Sequence, residues 1–318
     1  MEIYLAVNRQ KDPELAFSRR LQDYIRKQGC GVRILKSYQD AYQNYHFEVP
    51  EAPGIILALG GDGTYLQCVN DLNLLGLSHP VLGVNLGTLG FLTQVEREDV
   101  KAAVDAVLAG KYTLQDYPLL SASVENSRVT YCEQAFNDVV IGRQGFARVV
   151  KLGVSIDGSF AYATRCDGIL VSTAFGSTAY NVSLGGPVVP PGTPVFVVTP
   201  IAPHLPGLRP IIVPETAQVD ITVLGSKHDT GKVGLLTCDG RSNGIWLEKN
   251  DVVTIRKHGS GGKLLQLGNS KRDFYDVFRD KLLTVRFGAG ISGLSRGFSG
   301  AQGVRSENHA HQAGLDGL

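Results

Sequence analysis

A continuous apolar run, Ile55-Ile56-Leu57-Ala58-Leu59, leads without a break into Gly60-Gly61-Asp62-Gly63-Thr64, and apolar residues at helical spacing, Leu66, Val69 and Leu72, follow at once. A run that is apolar at every position reads as a parallel strand covered on both faces. The pattern therefore changes from strand to helix across a five-residue turn, which commits this part of the chain to an α/β unit. Glycines in such a turn admit positive φ, let successive backbone N–H groups face inward and allow phosphate oxygens to come close. The helix N-terminus behind them adds partial positive charge. Asp62 is the carboxylate of the turn, and an acid beside a phosphate cradle is costly unless it binds metal or takes a hydroxyl proton. A plain tight turn would explain a lone Gly-Gly pair, but not this pentapeptide at a strand end.

Around this unit the same alternation recurs. Residues 3–7 (IYLAV) have strand length, and Asp12-Pro13-Glu14 predicts a helix start with a capping carboxylate and Pro at the first helical position. Phe17, Leu21, Tyr24 and Ile25 then share one face before Gly29 stops the helix. Strands are expected at Val32–Leu35 and Pro80–Val84, and a helix through Val100, Val104 and Val107. Residues 1–111 are thus expected to form an open-sheet α/β domain. From 112 to 273 short apolar segments alternate with turns, among them the hairpin dipeptides Asp157-Gly158 and Asp239-Gly240, the second of which could mark something more. This pattern predicts an all-β, sandwich-like second domain. Phe274–Leu283 reads as a terminal helix and Leu283–Phe287 as a strand returning to the first sheet, so 274–287 is assigned to the first domain. Residues 288–318, with eight glycines and few apolar residues, are expected to be disordered.

Composition removes several function classes. With 31 Lys plus Arg against 30 Asp plus Glu, the net charge is +1, which argues against nucleic-acid or membrane-surface binding. No apolar run approaches the ~18 residues of a membrane span, and MEIYLAVNRQ lacks the pattern of a secretory signal, so a cytoplasmic chain is expected. The five cysteines are scattered without a CxxC and read as reduced thiols. His309 and His311 share a Gly-rich tail with no Cys in it, and a zinc site there is not expected. The excess is glycine, 38 in 318 residues against a usual share of ~7%. Gly259-Ser260-Gly261-Gly262-Lys263 lacks P-loop spacing, and Gly83, Gly87 and Gly90 do not make a dinucleotide-fold GxGxxG.

Taken together, GGDGT at 60–64, NLGTLGFL at 85–92, Asn137-Asp138-Val139-Val140, Arg165-Cys166-Asp167-Gly168, GSTAY at 176–180 and Gly185-Gly186-Pro187 resemble the NAD kinase family. Arg209-Pro210 and Asp239-Gly240 extend the resemblance more weakly. GGDGT alone is shared with diacylglycerol, sphingosine and phosphofructo-kinases; its combination with NDVV and GSTAYN is specific. The resemblance implies an α/β domain followed by a β-rich domain with the active site between them. It also implies transfer of a phosphoryl group from ATP (or polyphosphate) to the adenosine-ribose 2′-hydroxyl of NAD, giving NADP.

On that resemblance Asp62 is the catalytic base and orienting acceptor. A carboxylate is a weak base, so positioning contributes more than proton abstraction, as suits a loose phosphoryl-transfer transition state. Gly60, Gly61, Gly63 and Thr64 form the phosphate loop, and Mg²⁺ or another divalent ion accompanies ATP, with no metal ligands assigned. Asn137 and Asp138 offer mixed donors and acceptors to ribose hydroxyls and an adenine edge. Asp167 is implied at the nicotinamide-riboside half, and Thr178, Ala179 and Tyr180 at the adenine, with Asn181 and Ser183 in the same matched stretch. Arg165 and Arg148 are the cations expected at the substrate phosphates. Where the family usually has Pro followed by Ser or Thr, this chain has Ala174-Phe175, which places a bulky ring at Phe175 beside the expected dinucleotide pocket. A homo-oligomer, dimer or tetramer, is implied by family analogy. The alternatives are another GGDGT-type kinase with a lipid or sugar acceptor, and a catalytically weak nucleotide sensor.

Overall fold

The computed structural model describes residues 1–87, 90–125, 130–143, 145, 149–226, 231–259, 261–268 and 273–283. Met1–Val277 is one compact unit, and the second, Phe278–Leu318, is described only to Leu283.

The first sheet has the order Gly31–Ile34, Glu2–Val7, Ile55–Gly60, Val81–Asn85, Lys263–Leu267, Tyr112–Asp116, with Val95–Glu96 also pairing to Val81–Asn85. The first four strands are parallel, and every residue of Ile55–Gly60 is buried, as the unbroken apolar run required. Side chains alternate between the two faces of each strand. Ile3, Leu5 and Val7 meet Leu21 and Ile25 of the helix Ala16–Lys27 and Val100 and Val104 of the helix Val100–Leu108. Tyr4, Ala6, Ile56 and Ala58 meet Tyr65, Cys68, Val69 and Leu72 of the helix Asp62–Leu75 on the other face. The sheet is therefore doubly covered.

The first helix begins at Ala16, later than Asp12-Pro13-Glu14 predicts. Residues 12–15 wind into turns, and Leu15 takes φ 57°. The Asp12 carboxylate nonetheless reaches forward to accept the N–H groups of Phe17 at 3.2 Å and Ser18 at 2.9 Å and the Ser18 hydroxyl at 2.6 Å. Burial would raise its pKa, but these bonds outweigh it and hold the carboxyl below its usual value.

The β-rich part is two six-stranded antiparallel sheets packed on one core. One runs Thr130–Ala135, Leu120–Glu125, Val252–Lys257, Val219–Ser226, Val150–Ile156, Ser159–Cys166. The other runs Ile211–Pro214, Val195–Ile201, Gly168–Thr173, Asp138–Arg143, Lys232–Cys238, Ile245–Glu248. Leu120, Leu152 and Ile221 from the first interdigitate with Val139, Ile169 and Val198 from the second. Asp157-Gly158 makes the expected hairpin, both residues at positive φ.

Two strands from the span 112–273 lie in the first sheet instead. Lys263–Leu267 runs parallel to Val81–Asn85 and antiparallel to Tyr112–Asp116, burying Leu264 and Leu265 on opposite faces. Of the chain's end, Phe274–Phe278 is α-helical and Arg279–Leu283 π-helical; residues 284–287 of the expected returning strand and the 288–318 segment lie outside the described residues. Among the described residues no helix is long and apolar enough to cross a membrane.

Candidate functional site

The strand Ile55–Gly60 ends at Gly60, Gly61 is extended, and the helix Asp62–Leu75 starts at Asp62. The Asp62 side chain turns to the loop after Val81–Asn85, where its two oxygens accept the N–H groups of Phe91 at 2.8 Å and Leu92 at 3.0 Å. The carboxylate lies so close to this loop that a Cβ at Gly90 would fall 2.0 Å from Oδ1. Two motifs that are separate in sequence, GGDGT and NLGTLGFL, are thus joined by Asp62; Thr88 and Leu89 of the second lie outside the described residues. Thr64, buried in the first helical turn, receives a hydrogen bond from Asn8 Nδ2 at 3.2 Å. Lys11 Nζ donates to the Gly60 carbonyl at 3.0 Å.

The second cluster is built on the strand Asp138–Arg143. Asp239, at positive φ in the turn after Lys232–Cys238, points its carboxylate back at that strand's start. It accepts N–H groups from Phe136 at 2.8 Å, Asn137 at 2.7 Å and Asp138 at 3.1 Å. This is the further role of the Asp239-Gly240 dipeptide. Asn137 is half-buried and Asp138 buried. Burial, and then the charge of Asp239, push the Asp138 carboxyl up to about 7. Burial also raises Asp239, against the three amides that favour its charged form. The GSTAY loop lies on the same turn: Thr173 donates its hydroxyl to Phe136 O at 2.8 Å, and a Cβ at Gly176 would fall 2.0 Å from Asn137 O. Glycine at 176 is what lets the two motifs touch.

An aromatic contact pins the two clusters together. Tyr65, in the turn of helix that follows Asp62, lies 6.5 Å from the Phe136 ring, and Phe136 lies 5.3 Å from Phe175. Tyr117 closes edge-on against Phe136 at 5.0 Å. Phe175 is only 5% exposed, and its ring packs into this core. Apolar bulk finds its lowest free energy inside the packed interior, which turns the ring away from the surface.

The other predicted residues separate into open and closed positions. Tyr180 is 45% exposed, Thr178 and Ala179 are half-buried, and Ser183 is exposed. Asn181 is fully buried: its amide donates to Ser177 O at 3.0 Å and Pro187 O at 2.9 Å and its oxygen accepts the Thr199 hydroxyl at 2.7 Å. Both amide hydrogens and one acceptor position of the oxygen are thus spent on holding the loop. Arg165 is exposed on the strand Ser159–Cys166, and Arg148 lies outside the described residues. Asp167, half-buried, is ion-paired to Arg143 Nε at 2.7 Å, and its carbonyl accepts the Arg143 N–H.

Sequence reasoning missed Asn8, Lys11, Arg143 and the bridging pair Tyr65 and Phe136. For Asn8 and Lys11 a signal existed: they follow the C-terminal end of a parallel strand, the edge at which open α/β sheets bind ligands. No local pattern marks the others. Among the described residues no three His, Cys, Asp or Glu side chains converge as a metal cage. Mg²⁺ does not ask for one, since it is commonly held by one or two carboxylates and substrate phosphates.

Comparison with known proteins agrees along most of the chain. The ATP-NAD kinase N-terminal domain model matches residues 5–112 and the ATP-NAD kinase C-terminal domain model residues 136–266. The chain is 34% identical to the NAD kinase of Ruminiclostridium cellulolyticum over 288 residues, covering 88% of this chain and 97% of that one. It is 38% identical to the NAD kinase of Koribacter versatilis over 231 residues, 72% and 78% of the two chains. Its fold resembles yeast NADH kinase complexed with NADH (TM-score 0.70, 23% identity, 92% and 90% covered). It also resembles an Archaeoglobus fulgidus NAD kinase in complex with ATP (TM-score 0.67, 22% identity, 87% and 97% covered).

Proposed function

Because the chain belongs to the NAD kinase family, on two matching domain models and on relatives 34% and 38% identical to it, we propose that Asp62 and the Asn137-Asp138 turn serve the two sides of one phosphoryl transfer. The enzyme phosphorylates NAD with ATP, yielding NADP and ADP. In the step, a bond forms between the adenosine-ribose 2′-oxygen and the γ-phosphorus while the bond from that phosphorus to the β–γ bridging oxygen breaks. The hydroxyl proton passes to Asp62 and ADP leaves with the bridging oxygen.

The single observation that supports this assignment best is the rigid tie between the motifs. Asp62 is oriented by the amides of Phe91 and Leu92, and Tyr65 behind it packs on Phe136, the residue before Asn137. A general base must hold its orientation relative to the acceptor within a fraction of an ångström, and this packing supplies such a frame. In our reading Gly60, Gly61, Gly63 and Thr64 cradle donor phosphates, and Asn137 and Asp138 take the ribose hydroxyls. Thr178, Ala179 and the exposed Tyr180 ring flank the adenine, and Asp167, aimed by Arg143, faces the nicotinamide-riboside half. In the same reading Arg165 and Ser183, both exposed, meet the substrate from the solvent side. Asp62 is the carboxylate that would share a divalent ion with ATP; the ion would neutralise charge on the phosphate oxygens. By family analogy the molecule is a cytoplasmic homo-oligomer, a dimer or tetramer.

The test is NADP formation by the purified chain with ATP, Mg²⁺ and NAD, and the same assay on Asp62→Asn. Loss of a general base costs ~10²–10⁴ in turnover. The variant is expected to fall in that range while binding NAD within a few-fold of the parent. A variant retaining more than about a tenth of parental turnover removes Asp62 from this role.

A further inference from the structure

The Lys11 side chain crosses the glycine turn. Its ammonium donates to Gly60 O at 3.0 Å, and a Cβ placed on Gly61 or Gly87 would stand 2.9 Å or 3.0 Å from Nζ. The ammonium therefore sits where the GGDGT turn and the loop after Val81–Asn85 face each other, in space that side chains at 61 and 87 would enter. We propose that Lys11 is a phosphate-binding residue of the donor site, contacting the terminal phosphates of ATP or of an inorganic polyphosphate.

Three features beyond the proximity support this. The first is preorganisation. Asn8 O accepts the N–H groups of Lys11 and Asp12, both at 3.0 Å, Asn8 Oδ1 accepts the Gln10 N–H at 2.9 Å, and Asn8 Nδ2 reaches Thr64. The backbone that carries Lys11 is tied directly to the helix turn it overhangs, with Asp12 fastening the other side to Ser18. The second is charge. The Gly60 partner is a neutral carbonyl, and an ammonium has three donors, so an arriving polyanion meets a cation already in place. The third is the orientation of Asp62, whose oxygens accept amides on the loop side, so that Lys11 supplies the positive charge at the mouth of the turn. Backbone N–H groups and a helix terminus give only partial charges, whereas a donor carrying several full negative charges needs a compensating side chain. The chain has no P-loop lysine to supply it.

This inference rests on the reading of GGDGT as the donor site, and the experiment separates the two. In the full-length chain, KM values for ATP and for NAD are measured for the parent, Lys11→Met and Lys11→Arg. Binding of inorganic triphosphate to each is measured by calorimetry, with melting temperature as a control. Loss of a charge-assisted contact predicts a rise of about tenfold or more in the ATP KM and the triphosphate Kd of Lys11→Met. The NAD KM should stay within about twofold and Lys11→Arg within about threefold of the parent. Unchanged ATP and triphosphate values in Lys11→Met overturn the proposal. So does an equal loss in Lys11→Met and Lys11→Arg accompanied by a lower melting temperature, which would make Lys11 a clamp on Gly60. A parent chain that makes no NADP at all would instead overturn the functional reading, and triphosphate binding would still report on Lys11.

Discussion

Replacing Asp239 with alanine probes how the proposed NAD-side turn is held in place. Its carboxylate accepts three backbone N–H groups, from Phe136, Asn137 and Asp138, at 2.7 to 3.1 Å. Alanine leaves all three without an acceptor in a buried setting. A hydrogen bond to a charged group contributes ~1.5–3 kcal/mol, and an orphaned buried donor costs ~1–3 kcal/mol. Removing Asp239 also removes a buried charge whose desolvation opposes folding, which offsets part of the loss. The net expectation is about 3 kcal/mol, a large share of the ~5–15 kcal/mol by which domains are stable. A pH signature accompanies it. Asp138, raised to about 7, holds its proton more tightly in the folded chain than in the unfolded one. Its stabilising contribution is therefore complete below its unfolded pKa near ~4 and is lost as pH rises toward about 7. Alanine at 239 deletes one of the two causes of that shift, so the loss should be complete at lower pH in the variant. Urea unfolding of parent and variant across that window, with the NAD KM, makes the measurement. The NAD KM should rise about tenfold as the turn loosens. An unfolding midpoint and NAD KM both indistinguishable from the parent would refute the idea that Asp239 builds the turn.

Three further perturbations follow from the same geometry. Phe175→Ser should cost ~3–5 kcal/mol in stability by emptying the aromatic core, and the molecules that remain folded should keep the NAD KM within about threefold; a stable variant with a changed KM would place Phe175 at the pocket instead of the core. Gly176→Ala forces a methyl group against Asn137 O, so the NAD KM should rise with a stability loss of ~1–3 kcal/mol, read by kinetics and thermal unfolding. Arg143→Met releases Asp167 from its ion pair; the NAD KM should shift several-fold while the ATP KM stays put, and equal changes in both would show that the pair does not orient the acceptor.

Much of this molecule is legible locally. The strand and helix flanking GGDGT, the alternation that makes an α/β sheet, and the Asp157-Gly158 hairpin each depend on neighbours in sequence and are present, but the helix begins at Asp62 inside the pentapeptide and Gly60, Gly61 and Gly63 do not take the positive φ that a wider turn would use. The helix start near Asp12 shows the limit of local reading: the capping carboxylate was identified, but the intervening turns displaced the helix. Lys263–Leu267 returns to the first sheet because Leu264 and Leu265 find buried faces there, a pairing no window around residue 265 can announce.

For the site, the sequence by itself determined the motif residues on which the proposed chemistry rests: a glycine-rich turn with one carboxylate, and an Asn-Asp pair beside a glycine loop. Tertiary structure alone decided which of them face outward. Phe175 and Asn181 sit within seven residues of each other in a motif-rich stretch, yet one enters an aromatic core and the other spends both amide hydrogens inside the loop. Asp239 and Lys11 reach their partners across about 100 and about 50 residues of chain. Sequence spacing encodes direction only within a helix or a strand; across elements, direction is set by close packing and by the need to pair every buried polar group.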